Sequence, residues 1–357
     1  MRPSKPASRK PSPKQDRLVH HLRGQIVAGT LAPGMRLPTR ADLEERFAVS
    51  SVTVQRALDV LTAHGFITAR GTLGTFVNDR PPHLGHYAVV FFARPGAEGW
   101  MRFRESLRQA ALATSGRRLT MFFCSPDAAG ERQRTALYAA IAAQALAGVV
   151  FTSHPYSFVG TPALDAPGLP RVAVMPPGEL PGLKRVTYDE KAFLRLALAR
   201  LRAVDCRRIA LLTVPHQYES DDLDAQLAAH GLVSPAHWRL AIHPDHADSA
   251  RACIHLLLHT DQRRRPDALL VGDDNLFVHA VAGLNDAKLR VPADLTVIAH
   301  ANFPDPLAPT PGVLRLGYDA RTTLATCLEL IDAQRVGSSV PNVTRIPPVF
   351  TDTLGTA

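Results

Sequence analysis

The residues of this 357-residue chain that are best suited to recognition chemistry lie in a polar run after position 39. The Gln55 carboxamide matches the N6 and N7 atoms of adenine, and the guanidinium groups of Arg40 and Arg56 can bond to guanine or to phosphate. Three small hydroxylic side chains lie in the same run: Ser50, Ser51 and Thr53. Such a set is typical of a surface that reads base edges, so we predict that these residues contact duplex DNA.

Two short helices joined by a tight turn are predicted to position this run. Thr39, followed three residues later by Asp42, is typical of a helix start, and Ser50 can cap a second helix. The apolar residues of that second helix recur at three- to four-residue spacing, which predicts that they face inward: Val54, Leu58 and Leu61. The polar side chains are then left for the outer faces.

A hairpin is predicted to follow the second helix. Gly65 is expected to end that helix, and residues 66 to 68 and 75 to 77 read as two short strands. Their connection contains two glycines, which permit positive φ. We interpret the connection as a wing, and four of its residues are candidate DNA contacts: Arg70, Gly71, Thr72 and Gly74.

Positive charge is concentrated around this region. Residues 1 to 80 contain 13 Lys and Arg against 6 Asp and Glu, a net of +7 of the whole chain's +9. A field of this kind attracts phosphate and makes binding depend on salt. The skew therefore favours nucleic acid as the partner.

The first fifteen residues carry four prolines and five basic residues and no acidic one, so we predict a disordered arm over residues 1 to 15. Either backbone tracking on DNA or a solubilising role suits such an arm. The arm has no apolar core of a signal peptide, and no later stretch reaches eighteen apolar residues. We expect no membrane partner and a cytoplasmic, nucleoid-associated protein.

Two further motifs carry a family resemblance. The first comprises Ile26, Gly29, Leu31, Pro33, Gly34, Leu37, Pro38 and Thr39, and the second comprises Val49, Ser50, Thr53, Val54, Ala57 and Leu58. Over residues 16 to 80 the chain thus resembles the DNA-binding domain of the GntR family of bacterial transcription factors. The resemblance implies an α+β winged helix-turn-helix.

Three departures from the family pattern bear on DNA recognition. The family commonly places arginine where this chain has Ala41, Ser51 and Gln55, so the resemblance implies fewer arginine–guanine contacts and a different operator. The first wing glycine, Gly71, is also one residue earlier than in the family.

Beyond residue 86, short apolar runs alternate with amphipathic stretches, which predicts an α/β region with parallel sheets covered by helices on both faces. Strands are predicted over residues 87–92, 119–123, 148–151, 171–174, 208–213, 268–271 and 295–300. Helices are predicted over residues 101–115, 133–145, 190–204, 223–230, 249–259, 275–287 and 321–334.

Residues 86 to 350 carry a second resemblance, on segments 186–189, 206–212 and 265–269, the pair Asp273-Asp274 and the run VPADLTVI at 291–298. They resemble the effector domain of the LacI/GalR sugar repressors, which implies two type I periplasmic-binding-protein-like lobes with doubly wound sheets. The ligand would then bind between the lobes, at the carboxyl ends of the strands. Residues 81 to 85 form the linker between the two predicted domains.

The resemblance also supplies candidate effector contacts. Of three side chains that the family uses for sugar, Asp274 is retained, whereas Ser220 and Ala301 stand where the family has arginine and aspartate. Loops after predicted strands and the crossing between the lobes add further candidates: Arg94, Trp100, Ser153, His154, Tyr188 and Asp189. A sugar or related metabolite, a different small molecule and no effector at all remain open.

No cofactor, metal or catalytic activity is expected. The four cysteines are far apart, which argues against a disulfide framework or a zinc site: Cys124, Cys206, Cys253 and Cys327. Some GntR-type readers are fused to pyridoxal-phosphate enzymes, but the lysines after residue 80 lack suitable surroundings: Lys184, Lys191 and Lys288. The chain is also too short for that domain.

These patterns predict a homodimeric transcription regulator that binds a palindromic operator and responds to a small molecule. Repression is favoured because no segment reads as an activation surface. The alternative is a ligand-independent DNA-binding protein whose degenerate sensor domain only dimerises.

Overall fold

The computed structural model describes residues 12–96, 101–175, 180–259, 261–305, 307 and 309–353. Three units follow one another: a small helical unit with a hairpin, and two α/β lobes. Within the described residues, no helix combines the length and apolar character needed to cross a bilayer.

The N-terminal unit contains α1 (Pro13–Val27), α2 (Arg40–Phe47), α3 (Ser51–Ala63), β1 (Ile67–Ala69) and β2 (Thr75–Val77). Its core is formed by apolar residues of all three helices and both strands, together with residues of the α1–α2 connection and Phe66 before β1. The antiparallel β1–β2 hairpin confirms the expected winged helix-turn-helix. The two strands are joined by a single 3₁₀ turn over Gly71–Leu73.

The predicted end of the N-terminal arm needs correction. Ser12 caps α1 by accepting from the Gln15 backbone N–H at 3.3 Å, and residues 13 to 15 form the first helical turn. Pro13 suits this position because the first helical N–H has no partner within the helix. Residues 1 to 11 lie outside the described residues.

After a one-turn helix, α4 (Pro82–Gly85), the chain forms the two lobes. The strands are β3 (His86–Phe91), β4 (Arg118–Phe123), β5 (Gly148–Phe151), β6 (Arg171–Val174), β7 (Lys184–Tyr188), β8 (Ile209–Thr213), β9 (Arg239–Ala241), β10 (Ala268–Val271), β11 (Thr296–Phe303), β12 (Leu314–Asp319), β13 (Val343–Ile346) and β14 (Val349–Phe350). The helices are α5 (Arg102–Ala113), α6 (Ala128–Ala142), α7 (Pro162–Asp165), α8 (Glu190–Ala203), α9 (Ser220–Ala229), α10 (Ser249–Leu258), α11 (Asp274–Asp286) and α12 (Ala320–Arg335).

Each lobe is built on a six-stranded sheet. The first has the order β13-β7-β6-β5-β3-β4 with all neighbours parallel, and the second has the order β14-β12-β11-β10-β8-β9, in which β14 alone is antiparallel. The chain crosses between lobes through α8, through α12 and between β13 and β14. This arrangement confirms the two-lobed, doubly wound fold, and it makes the carboxyl ends of the strands the natural place for a ligand.

Several strands were absent from the sequence prediction: β7, β9, β12, β13 and β14. In β7 and β13, polar residues such as Arg185 and Arg345 interrupt the apolar pattern near the sheet edge. In β12, Gly317 weakens the strand pattern, yet the fold requires it because a Cβ there would collide with the Ala301 carbonyl on β11.

Candidate DNA interface and ligand cleft

Helix α3 presents the predicted recognition residues on its outer face. The Ser50 hydroxyl accepts from the Thr53 backbone N–H at 3.4 Å and so caps the helix. The residues that face inward are buried: Val54, Ala57, Leu58 and Leu61. The predicted DNA contacts are exposed or half-buried instead: Arg40, Ser50, Ser51, Thr53, Gln55 and Arg56.

Two features of this face were not apparent from the sequence. The Gln55 Nε2 donates to Asp59 Oδ1 at 2.6 Å, which orients the carboxamide while leaving one N–H and the oxygen for a base. Val52, beside Ser51, is 56% exposed. An apolar side chain there suits the methyl group of thymine.

The wing is anchored by arginines at its base. The Arg70 guanidinium lies over the Phe76 ring, with 4.8 Å to the centroid, and reaches Asp79 at 3.7 Å. Gly74 has φ +108°, and a Cβ there would lie 2.8 Å from the Arg36 side chain. The tip, Gly71 to Leu73, is exposed. Arg36 is therefore a wing residue that the sequence motif did not identify.

A cleft of about 1030 Å³ lies where the lobes and the crossover helix α8 meet. Three predicted effector contacts line it: Tyr188, Asp189 and Asp274. Both strand ends and helix starts contribute, since Tyr188 ends β7 and Asp274 begins α11. The cleft thus forms at the carboxyl edges of both sheets.

Five other predicted contacts are not among the cleft-lining residues that the structure describes: Arg94, Ser153, His154, Ser220 and Ala301. Arg94 instead forms an ion pair with Asp127 at 2.6 Å. His154 stacks on Tyr156 at 5.1 Å. Trp100 lies outside the described residues.

Ser220 and Ala301 are displaced for local reasons. Ser220 is the first, exposed residue of α9. Ala301 is fully buried within β11, where it pairs with Gly317 of β12. Equivalence in sequence order therefore did not place these residues on the cleft wall.

Asp274 is the most buried carboxylate of the cleft, at 2% exposure. It accepts a hydrogen bond from Asn302 Nδ2 at 2.9 Å. Burial raises the pKa of Asp274, and His300 partly offsets this effect. The neighbouring Asp273 caps α11 by accepting from the Asn275 backbone N–H at 2.8 Å.

Aromatic residues form the floor of the cleft. Tyr188 of the first lobe stacks on Tyr318 of the second with ring centroids 4.2 Å apart. Phe193 and His300 lie beside them, 5.5 Å from each other. The Tyr218 and Tyr318 hydroxyl oxygens are buried without a hydrogen-bond partner among the described residues. Buried polar groups normally have partners, so these two unpartnered hydroxyls are candidates for bonding to a ligand.

Sequence reasoning missed much of the wall: Arg185, Thr187, Tyr218, His300, Asn302, Tyr318 and Arg345. Arg185, Thr187 and Arg345 belong to β7 and β13, which pair in parallel. The available signal was the polar alternation in those two strands. Within the described residues, no group of three His, Cys, Asp or Glu side chains is arranged to hold a metal ion.

Comparison with known proteins defines the class. Residues 14–77 match the gntR family of bacterial regulatory proteins, and residues 198–349 match the periplasmic binding protein-like domain. The chain therefore joins an N-terminal GntR-type helix-turn-helix domain to a periplasmic-binding-protein-like domain.

Individual relatives match over a short part of the chain. The HTH-type transcriptional regulator Rv0792c of Mycobacterium tuberculosis is 39% identical over 72 residues, which cover 20% of this chain and 27% of that protein. The mannosyl-D-glycerate transport/metabolism system repressor MngR of Escherichia coli is 31% identical over 80 residues, covering 22% of this chain and 33% of that protein. Both matches span less than two thirds of the relative.

Solved structures match through the two lobes. A LacI family transcriptional regulator from Lactobacillus casei with bound sucrose aligns with a TM-score of 0.51 and 19% identity, over 75% of this chain and 98% of that chain. A LacI family regulatory protein from Chloroflexus aggregans gives a TM-score of 0.55 and 20% identity, over 74% and 96%. At these identities the likeness establishes the fold.

Proposed function

We propose that this protein is a homodimeric transcription regulator whose affinity for a palindromic operator is set by a small molecule in the cleft. The observation that carries the proposal is the joining of an exposed, capped recognition helix to a two-lobed cleft with unpartnered buried hydroxyls. The basic charge of residues 1 to 80 supports contact with DNA. The proposal also includes a cytoplasmic, nucleoid-associated location and no catalytic role.

Repression and a sugar or related metabolite as effector are the finer parts of the proposal. The relative MngR is named as a repressor, and the Lactobacillus casei regulator was crystallised with sucrose. The cleft volume of about 1030 Å³ suits a ligand of sugar size or larger.

Contacts at the linker support mechanical coupling between the domains. His83 of α4 stacks on Phe66 of the N-terminal core, with centroids 5.9 Å apart and planes 12° apart. Arg80 Nη1 donates to the Gly116 carbonyl of the first lobe at 3.3 Å. A linker held on both sides can pass a change of lobe arrangement to the winged helices, which alters how two half-sites are bridged in a dimer.

Operator binding is tested first by fluorescence polarisation on palindromes from the protein's own upstream region. Arg56→Ala should weaken specific binding about 10- to 100-fold, because a base or phosphate contact of this kind contributes about 1–3 kcal/mol. Arg132→Ala is the matched control, since Arg132 is exposed on α6 in the first lobe. Equal affinity of the two variants would contradict the assignment of α3 to the DNA.

Effector control is tested by repeating the titration with sugars, sugar acids and nucleosides. A compound that shifts operator affinity supports the proposal. The second candidate, a ligand-independent reader, is favoured by the positions of Ser220 and Ala301, which the family resemblance makes sugar contacts but which are not among the described cleft-lining residues. It predicts specific operator binding that no compound in the panel changes.

A further inference from the structure

The wall that the second lobe gives to the cleft is rich in hydrogen-bond acceptors, and its charged side chains, apart from the histidines His216 and His300, are carboxylates. Its described lining residues include four carboxylates and no lysine or arginine: Glu219, Asp222, Asp273 and Asp274. The arginines that line the cleft belong to other elements, Arg185 and Arg345 to the first lobe and Arg195 to the crossover helix α8. Charge is therefore separated between the two walls.

Only part of this acidity is neutralised. Asp222 reaches Lys191 of the crossover helix at 3.4 Å. Among the residues that the structure describes, Asp273 accepts only from N–H groups of Asn275, which are neutral donors. The charge of the adjacent Asp273 adds to burial in opposing ionisation of Asp274, and His300 and Arg102 offset only part of this effect. A second anion at this wall would be repelled, whereas a cation would relieve the repulsion.

A buried hydroxyl without a partner belongs to the same cleft. Tyr318 is 3% exposed, lines the cleft, and has no hydrogen-bond partner for its oxygen among the described residues. The groups that act on it electrostatically all line the cleft: Glu190, Tyr218, Tyr188 and Asp189. The Tyr218 oxygen is likewise unpartnered. Hydroxyl oxygens and carboxylates are the acceptors that a donor-only group requires.

We propose that the effector carries an ammonium group, which binds the second-lobe wall near Asp273 and the Tyr318 hydroxyl. The inference rests on the proposed function, since it describes the ligand of the same cleft. An ammonium group has three N–H donors and a positive charge, so it satisfies the unpartnered oxygen and the excess carboxylate together. A neutral hydroxyl can bond to the unpartnered oxygen, but it cannot balance the charge of the excess carboxylate.

Four probes on one six-carbon skeleton separate these contributions: glucose, glucosamine, gluconate and glucosaminate. Calorimetric titration of the full chain should give at least tenfold tighter binding for glucosamine than for glucose, and for glucosaminate than for gluconate. Equal or weaker binding of the ammonium-bearing member in both pairs, or no binding by any probe, overturns the inference. The operator titration is a separate measurement, so its outcome distinguishes loss of this inference from failure of the proposed function.

The Asp273→Asn variant tests whether the preference for an ammonium group depends on the charge of Asp273. Asparagine is as good a helix cap as aspartate, so α11 should be retained while the charge is lost. The tenfold ammonium preference should then disappear. Asp221→Asn is the matched control, because Asp221 is an exposed residue of α9 outside the cleft lining. If the preference survives Asp273→Asn, or falls equally in both variants, the assigned wall is wrong.

Discussion

At the scale of single residues, the two tyrosines Tyr318 and Tyr87 differ in one respect that decides their roles. Both are almost fully buried, at 3% and 2% exposure. The Tyr87 hydroxyl donates to Asp332 Oδ1 at 2.6 Å, whereas the Tyr318 oxygen has no partner among the described residues. A buried polar group without a partner costs free energy, so an unpartnered one in a cleft indicates a site kept for a ligand.

This contrast predicts opposite effects of removing each hydroxyl. Tyr87→Phe should lower the free energy of unfolding by about 1–3 kcal/mol, because it breaks a bond to a charged group and leaves Asp332 with one donor fewer. Tyr318→Phe should leave the free energy of unfolding unchanged or raise it slightly, while weakening ligand binding. Chemical denaturation without ligand measures both values. A loss of stability in Tyr318→Phe as large as in Tyr87→Phe would show that the Tyr318 hydroxyl is bonded within the protein.

At the scale of elements, α12 connects the cleft to the linker region. It follows Tyr318 directly, with Asp319 as its cap, and it ends at Arg335, which acts electrostatically on His83 of α4. Near its end, Asp332 also accepts from Arg117 Nη2 at 2.9 Å. A 16-residue helix spans about 24 Å, so one rigid element reaches from the cleft to the linker helix α4.

We therefore expect Asp332→Asn to weaken coupling more than binding. Ligand and operator affinities measured separately should stay within a few-fold of wild type, but the ligand-induced shift in operator affinity should fall. Coupling free energies of this kind are typically about 1–3 kcal/mol, so the loss is measurable by polarisation with and without ligand. Glu329→Gln, an exposed change on the same helix, is the control. An undiminished shift in Asp332→Asn would assign the coupling to another element.

At the scale of the whole molecule, the contact between the N-terminal unit and the first lobe contains a histidine that resists protonation. Burial, with the nearby Arg335, lowers the pKa of His83 to about 4. In the unfolded chain a histidine has a pKa of about 6.5. Between these values the unfolded state binds a proton that the folded state does not, so falling pH destabilises the folded protein.

The pH dependence of stability should reflect this difference. Above about pH 6.5 His83 is neutral in both states and contributes no slope, and the destabilisation develops as pH falls towards about 4. His83→Phe keeps the stacking on Phe66 but removes the titration. Melting curves from pH 7.5 to 4.5 should show the variant gaining stability relative to wild type as pH falls. A pH-independent difference would mean that His83 is not protonation-sensitive in this contact.

The sequence by itself determined the class of each domain and the types of its helices and most apolar strands, because caps, apolar periodicity and short motifs act locally. Thr39 with Asp42, Ser50 with Thr53, and the apolar residues of α3 all occupy the roles that their spacing predicts. The fully buried apolar strands β5 and β10 also coincide with their predicted bounds. These features depend on residues only a few positions apart.

Only the tertiary structure decided the composition of the cleft. Tyr188 and Tyr318 meet because α8 and α12 carry the chain between lobes. Arg345 belongs to β13, which comes late in the chain and pairs with β7 at the edge of the first sheet. Arg94 and His154 follow predicted strands as expected, but Asp127 and Tyr156 engage them elsewhere. Contacts between distant segments depend on the packing of whole lobes, which no local pattern in the sequence specifies.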